Sequence, residues 1–245
     1  MNKKNTMKKY YCHSSDGSIV YSTDTNFIYA KKDGKEVRLD LFDTHYYKLR
    51  VYNNIPILEI DGLRMQLVKN FATPLEYAEE VVKGLQLAPK NKAAVLDTCM
   101  GLGYTAIAAS KHSGVDLVVT CEISEAVLTL AKWNPFSEPL FQNNGKIRIM
   151  HGSIVDLIKH FDSETFSYII HDPPRFSHAP ELYSSEFYQE LYRVCKKGGC
   201  LFHYVGSVGK KKGRHIDNEV MKRLSDSNFK RIKYVEKLQG IFAER

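Results

Sequence analysis

The chain has 245 residues, 43% of them apolar, which is enough to bury one full core with a small extension beside it. No apolar run nears the roughly 18 residues of a membrane span, and the lysine-rich start Met1–Tyr10 lacks the apolar centre of a signal peptide, so a soluble cytoplasmic protein is expected. Five scattered cysteines without a Cys-x-x-Cys pair argue against a zinc site or a disulfide framework, and a formal charge of +7 favours an anionic partner without marking where it binds.

Residues 1–70 read as a separate β-rich unit. Ser18–Tyr21, Phe27–Ala30, Val37–Phe42 and Tyr46–Tyr52 are short β-branched and aromatic runs. Asp16-Gly17, Asp33-Gly34 and Asn53-Asn54 divide them, and such pairs suit tight hairpins because they tolerate positive φ. Ile57 to Gln66 adds one more hairpin around Asp61-Gly62. The tyrosines of this small antiparallel domain fit packing better than a nucleic-acid platform. Thr73-Pro74-Leu75-Glu76 then opens a helix, with Thr73 as N-cap, Pro74 at the first turn and Glu76 closing a capping box, and the helix runs to about Leu87.

The second unit, residues 71–245, begins with a buried-type strand, Ala93 to Leu96, that ends in Asp97. A turn with Gly101 and Gly103 leads to an alanine-rich helix starting near Tyr104 and Thr105. Glycine there lets backbone approach a ligand, and the helix start offers unpaired N–H groups, although ordinary β–α connections also use glycine. A second apolar strand, Leu117 to Ile123, delivers Glu122 roughly 20 residues later, the spacing of a ribose-binding acid in a nucleotide fold.

Strands and helices alternate onward. Helices are predicted from Ser124 to Trp133, Ile154 to His160, Leu182 to Cys195 and His215 to Asp226; strands from Lys146 to Met150, Phe166 to Ile170, Cys200 to Val205, Arg231 to Val235 and Gly240 to Ala243. Asn134 to Asn144 and His171 to Pro180 are expected to be irregular. Repeated β–α units imply an α/β, doubly wound, mostly parallel sheet. The closing pair of strands has too short a connection for both to run parallel, so one is antiparallel.

After the fourth strand comes His171-Asp-Pro-Pro-Arg-Phe-Ser177. Two prolines fix φ and donate no hydrogen bonds, so Asp172 is held stiffly at the carboxyl edge of the sheet, where ligands of such sheets bind. The Asp172 carboxylate and the Pro173 carbonyl make a fixed pair of acceptors suited to an amine.

Asp97 to Gly103, Glu122 and Asp172-Pro173-Pro174 together resemble the motifs of class I S-adenosylmethionine-dependent methyltransferases, over about residues 70–245. The resemblance implies a Rossmann-like seven-stranded sheet with its last strand antiparallel and S-adenosyl-L-methionine as cofactor. Gly101 and Gly103 would lie under its methionine part, Glu122 on its ribose hydroxyls and the loop His151-Gly152-Ser153 beside its adenine, with Asp97, Cys99, Tyr104, Thr105, Ile123 and Asp172 completing the cofactor-binding set. Asp172, Pro173, Pro174, Arg175 and Phe176 would form the catalytic loop. The chain is also similar to an archaeal group of proteins predicted to be methyltransferases of unnamed substrate, through these motifs and Leu201-Phe-His-Tyr-Val-Gly206.

The chain departs from the larger family at Cys99 for a common glycine, Ser153 for a common Asp, and Arg175 where base-methylating enzymes carry an aromatic. A sulfonium donor is already activated, so the protein's task is alignment and exclusion of water, and a nitrogen acceptor held by Asp172 is the expected nucleophile. Carbon-5 methylation of a pyrimidine needs a nucleophilic thiolate, and the two places where RNA enzymes carry it look like Arg175 and Gly206 here.

Gly209 to His215, with Lys210, Lys211, Lys212 and Arg214, follows the fifth strand and is either a clamp for RNA phosphates or a solvated charged loop. RNA is accordingly the favoured acceptor, ahead of a protein side chain or a small amine. The rival activity is aminopropyl transfer from decarboxylated S-adenosylmethionine. The Ile57 to Gln66 hairpin and Tyr183 to Tyr188 are similar to spermidine-synthase-like proteins, while the basic residues around Asp172 ill suit a polycation. A binding module that keeps the pocket without catalysis is the third reading.

Overall fold

In the computed structural model the described residues are 9–13, 19–22, 27–32, 34–67, 69–88, 92–142, 145–206 and 216–245. The N-terminal part is eight short strands in two four-stranded antiparallel sheets. The first holds β1 (Lys9–His13), β2 (Ile19–Ser22), β3 (Ile28–Lys32) and β4 (Lys35–Arg38). The second holds β5 (Asp40–Phe42), β6 (Tyr46–Tyr52), β7 (Ile55–Ile60) and β8 (Leu63–Arg64). The predicted run Val37–Phe42 is thus split between the two sheets at Leu39, whose N–H donates to the Ile28 carbonyl. Asn53, Asn54, Asp61 and Gly62 all have positive φ, the conformation that two-residue hairpin turns require.

Helix α1 (Pro74–Gly84) begins as its sequence dictates, with the Thr73 hydroxyl accepting from the Glu76 N–H at 3.1 Å. Glu76 reaches one residue further back than a capping box would, accepting from the Ala72 N–H. The helix buries Tyr77, Ala78, Val81 and Val82.

The seven-stranded sheet is built from β9 (Ala93–Asp97), β10 (Val115–Glu122), β11 (Ile147–His151), β12 (Phe166–His171), β13 (Cys195–Tyr204), β14 (Lys230–Val235) and β15 (Gly240–Glu244). Its order is β11-β10-β9-β12-β13-β15-β14, parallel except for β15, which runs antiparallel to both neighbours. Chain reversal between β9 and β12 puts a topological switch point beside Asp97 and Asp172.

Alternation along each strand sends successive residues to opposite faces. Val95, Val118, Ile170 and Phe202 join a core with the N-terminal sheets, α1, α2 (Tyr104–Ser110) and α3 (Glu125–Trp133). Leu96, Val119, Ile169 and Leu201 join a second core with α5 (Ile154–Leu157), α6 (Ser185–Val194) and α7 (Ile216–Asp226). Residues 134–142 are less irregular than expected: Pro135–Ser137 forms a 3-10 turn and α4 (Glu138–Phe141) follows it. Strand β13 starts at Cys195, five residues early, because Gly198 and Gly199 exchange backbone hydrogen bonds with Arg245. Among the described residues no helix is long and apolar enough to cross a membrane, and no cluster of His, Cys, Asp and Glu could hold a metal ion.

Candidate active site

Strands β9 and β10 bring Asp97 and Glu122 to the same edge, with Thr120 in register beside Asp97. The two acids do different things. Glu122 Oε2 accepts from the Gly101 N–H and Oε1 from the Ser124 N–H, each at 2.9 Å. Each oxygen keeps a lone pair, and the residue lines a cavity. Burial raises the Glu122 pKa above the usual carboxylate range, against the pull of those N–H donors.

Asp97 is fully buried behind the loop and is absent from the cavity wall. It accepts from the Thr120 hydroxyl at 2.5 Å and the Thr105 hydroxyl at 3.0 Å, tying β10 and the start of α2 to the tip of β9. Burial pushes its pKa up to about 7, the two hydroxyls opposing. It positions the glycine turn and touches no ligand space. Gly103 sits at φ +75°, and a Cβ there would lie 2.3 Å from a Leu140 methyl, so neither the backbone angle nor the space admits a side chain.

The cavity has a volume of about 440 Å³. Its floor is the residue 98–105 turn with Glu122, Ile123, Gly152 and Ser153; its far wall is Asp172 to Arg175 with Tyr204. Its roof is the β6–β8 hairpin system, through Tyr47, Leu58, Asp61, Arg64, Met65 and Gln66. The roof is fixed to the floor, because the Tyr104 hydroxyl donates to the Pro56 carbonyl at 2.7 Å and accepts from Asn134 Nδ2 at 3.0 Å.

On the far wall the Tyr77 hydroxyl donates to Asp172 Oδ2 at 3.1 Å. Burial pushes the Asp172 pKa up to about 7, with that hydrogen bond pulling it down and the charge of Asp97 adding to the rise. The Pro173 carbonyl accepts no hydrogen bond from any described residue, while the Pro174 carbonyl accepts from the Tyr183 hydroxyl at 2.9 Å. The loop is therefore held by its second proline, leaving the first carbonyl available.

Behind the wall lies a buried polar cluster. His171 Nε2 donates to the Leu182 carbonyl at 3.0 Å, which leaves Nδ1 to accept from the Thr98 hydroxyl at 2.8 Å. His203 Nδ1 donates to the Tyr204 carbonyl, leaving Nε2 to accept from the Tyr188 hydroxyl, both at 2.8 Å. The two rings meet edge to face at 4.3 Å between centroids. Burial drives the His171 pKa down to about 3 and that of His203 well below its ordinary value, so both rings are neutral. They set the tips of β12 and β13, from which Asp172 and Tyr204 project.

Of the residues expected at the site, Cys99, Gly101, Gly103, Tyr104, Thr105, Glu122, Ile123, Gly152, Ser153, Asp172, Pro173, Pro174 and Arg175 line the cavity. Asp97 and Phe176 do not. Phe176 packs edge-on against Tyr183, with 5.5 Å between centroids, and keeps 42% of its surface exposed outside the cavity wall. Lys210, Lys211, Lys212 and Arg214 lie outside the described residues. Sequence reading missed Tyr77, Tyr204 and the roof. The one signal for Tyr77 was a hydroxyl on the apolar face of α1, which needs a buried partner.

The expected basic surroundings of Asp172 are in fact mixed. Asp61, Glu122, Asp172 and Glu181 line the cavity beside Arg64 and Arg175. Neither arginine forms an ion pair with a described carboxylate, whereas Asp61 is held by His45 Nδ1 at 2.5 Å and the Tyr46 N–H at 2.8 Å. Cys99 and Cys121 also line the cavity, and burial raises both thiols, Cys121 to about 12, so neither is a thiolate at neutral pH.

The residues present fit an adenosyl sulfonium donor: a carboxylate with lone pairs free for vicinal hydroxyls, a turn whose Gly101 presents bare backbone, and an aliphatic residue, Ile123, 67% exposed at the rim.

Comparison with known proteins gives the same outline. A family model described as a methyltransferase domain matches residues 95–199. The uncharacterized protein MJ1233 of Methanocaldococcus jannaschii is 45% identical over 221 residues, 90% of this chain and 74% of that protein. A polyamine aminopropyltransferase of Thermoanaerobacter sp. is 25% identical over 195 residues, 80% of this chain and 67% of the relative. A crystal structure of spermidine synthase in complex with the transition state analogue AdoDATO has a TM-score of 0.73 at 17% identity, covering 99% of this chain and 83% of that one. Spermidine synthase from Thermotoga maritima gives 0.68 at 16% identity, covering 99% of this chain and 81% of that one. At such identities the structural likeness speaks for the fold alone. The chain therefore belongs to the family of M. jannaschii MJ1233, built on the class I S-adenosylmethionine-dependent methyltransferase-like fold.

Proposed function

We propose that this protein transfers a methyl group from S-adenosylmethionine to a nitrogen nucleophile seated against Asp172 and the Pro173 carbonyl. The observation that carries the reading is that the carboxylates of Glu122 and Asp172, at the ends of the two strands that flank β9, line one and the same cavity. When bound, the sulfonium supplies an activated methyl, so the acceptor's lone pair forms the N–C bond as the C–S bond breaks and S-adenosylhomocysteine leaves. Asp172 takes the proton that the nitrogen must lose. Its pKa near 7 makes it basic enough to accept a proton and ionised enough to be ready. Tyr77 fixes the carboxylate's orientation, the Pro173 carbonyl aligns a second N–H, and the roof keeps water out.

The acceptor enters as a single amine or a single base, since a cavity of about 440 Å³ that also holds the donor leaves room for little more. An RNA base remains within the proposal on the strength of the net charge of +7. Aminopropyl transfer is the second reading, favoured by the aminopropyltransferase relative and by the carboxylates on the wall. Against it stands Arg175 beside Asp172, repelling a polyamine.

The test is incubation with S-adenosylmethionine labelled in the methyl group and separated RNA, DNA, protein and metabolite pools, beside a parallel assay with decarboxylated donor and putrescine. Label in any pool supports the methyl reading and names the acceptor. Product in the parallel assay alone replaces it with the second.

A further inference from the structure

The proposed chemistry gives Asp172 and the Pro173 carbonyl a task and leaves the Arg175 guanidinium none. Yet the backbone of Arg175 is fixed from both sides. Pro173 and Pro174 set φ before it, the Tyr183 hydroxyl holds the Pro174 carbonyl at 2.9 Å, and its own carbonyl accepts from the His178 N–H at 2.8 Å and the Ala179 N–H at 3.3 Å. The side chain lines the cavity and pairs with no described carboxylate, although Glu181 lines the same space. Its charge is felt at the Tyr204 hydroxyl on the same wall, where burial pushes the pKa up to about 12, Asp172 adds to the rise and Arg175 opposes it. A carboxyl and a guanidinium thus act on one phenol, and the three residues of chain between them span at most about 10 Å. Arg64 on the roof adds a second guanidinium without a described carboxylate partner. A guanidinium recognises a carboxylate or a phosphate through paired N–H bonds, whereas a polyamine or an uncharged base gives it no anion to hold.

We infer that the methyl acceptor is a small amine that also carries an anionic group, a carboxylate or a phosphate, with its nitrogen at Asp172 and its anion at Arg175. This rests on the proposed function, which seats the nitrogen at Asp172. The two ends of the acceptor meet opposite charges, so the wall fixes its direction as well as its class. A cavity of about 440 Å³ shared with the donor keeps it to the size of an amino acid or an amino sugar phosphate.

The experiment offers methyl-labelled S-adenosylmethionine and a metabolite extract, with RNA and protein in parallel, to the wild type, Arg175→Met and Arg175→Lys. Small labelled products are identified by mass spectrometry, whose fragments separate a carboxylate from a phosphate. The label should enter a small amine bearing either group. In R175M the KM for that acceptor should rise at least about tenfold while kcat falls far less, and R175K, which restores the charge without the fork, should recover part of the loss. Affinity for S-adenosylhomocysteine, read by calorimetry, should stay within about threefold in both variants. Label in RNA, in protein or in an amine without an anion, an unchanged KM in R175M, or a tenfold loss of S-adenosylhomocysteine binding there would each overturn the inference and leave the proposed function standing. A wild type that labels no pool would overturn both.

Discussion

The Tyr77 hydroxyl donates to the Asp172 carboxylate at 3.1 Å, joining helix α1 to the end of strand β12 across 95 residues of chain. The hydrogen bond stabilises the ionised carboxylate while burial opposes ionisation, and the balance falls close to neutrality. In Asp172→Asn the group can still align a nitrogen but accepts no proton, so kcat should fall by about 10²-fold or more. Donor affinity, read by calorimetry, should stay within about threefold.

The pH dependence follows with a defined sign. Asp172 works as a base only when ionised, so the rate should rise with pH through about 7. Tyr77→Phe removes an interaction that lowers the Asp172 pKa, and its rate profile should move to higher pH. A shift in the opposite direction in single-turnover assays would deny Tyr77 this role.

Glu122 should govern the donor rather than the chemistry. Glu122→Gln keeps an oxygen for one of the two backbone N–H groups but gives up the anion, so donor affinity should drop by about tenfold to a hundredfold. The thermal shift induced by S-adenosylhomocysteine should shrink in proportion.

Stability should respond to pH through opposing groups. His171 and His203, held neutral by burial, contribute stability that is present above about pH 6.5 and is lost as pH falls below it, for His171 down to about 3. Asp97 and Asp172, with raised pKa values, act the other way: they favour the folded state below the ordinary carboxylate range and lose that advantage as pH rises through about 7. Removing one carboxylate unmasks the histidines. Urea midpoints of D172N should therefore exceed wild type at pH 8 and decline more steeply below pH 6.5.

Much of the molecule was legible in the sequence because its signals are local. Each core strand announces itself by apolar runs, Thr73 caps its helix through its own neighbours, and the prolines after Asp172 stiffen their own loop. The Asp97 position was legible but its direction was not, because the Thr105 and Thr120 hydroxyls that turn it inward come from separate elements. The contact of Phe176 with Tyr183 was hidden for the same reason, the two rings coming from separate elements. Tyr77 and Gln66 were invisible as site residues, since only the docking of the hairpin and α1 onto the sheet edge brings them there. Strand β13 begins early against a Gly-Gly pair that reads as a turn, because the C-terminal Arg245 pairs with it.

The Tyr104 hydroxyl, between Pro56 and Asn134, welds ceiling to floor. Tyr104→Phe should strand the Pro56 carbonyl and lower unfolding free energy by about 1–3 kcal/mol in urea titrations. For the working molecule the bond carries another meaning. Whatever enters or departs has to do so without parting β7 from α2, which leaves the hairpin and the glycine turn as one rigid frame.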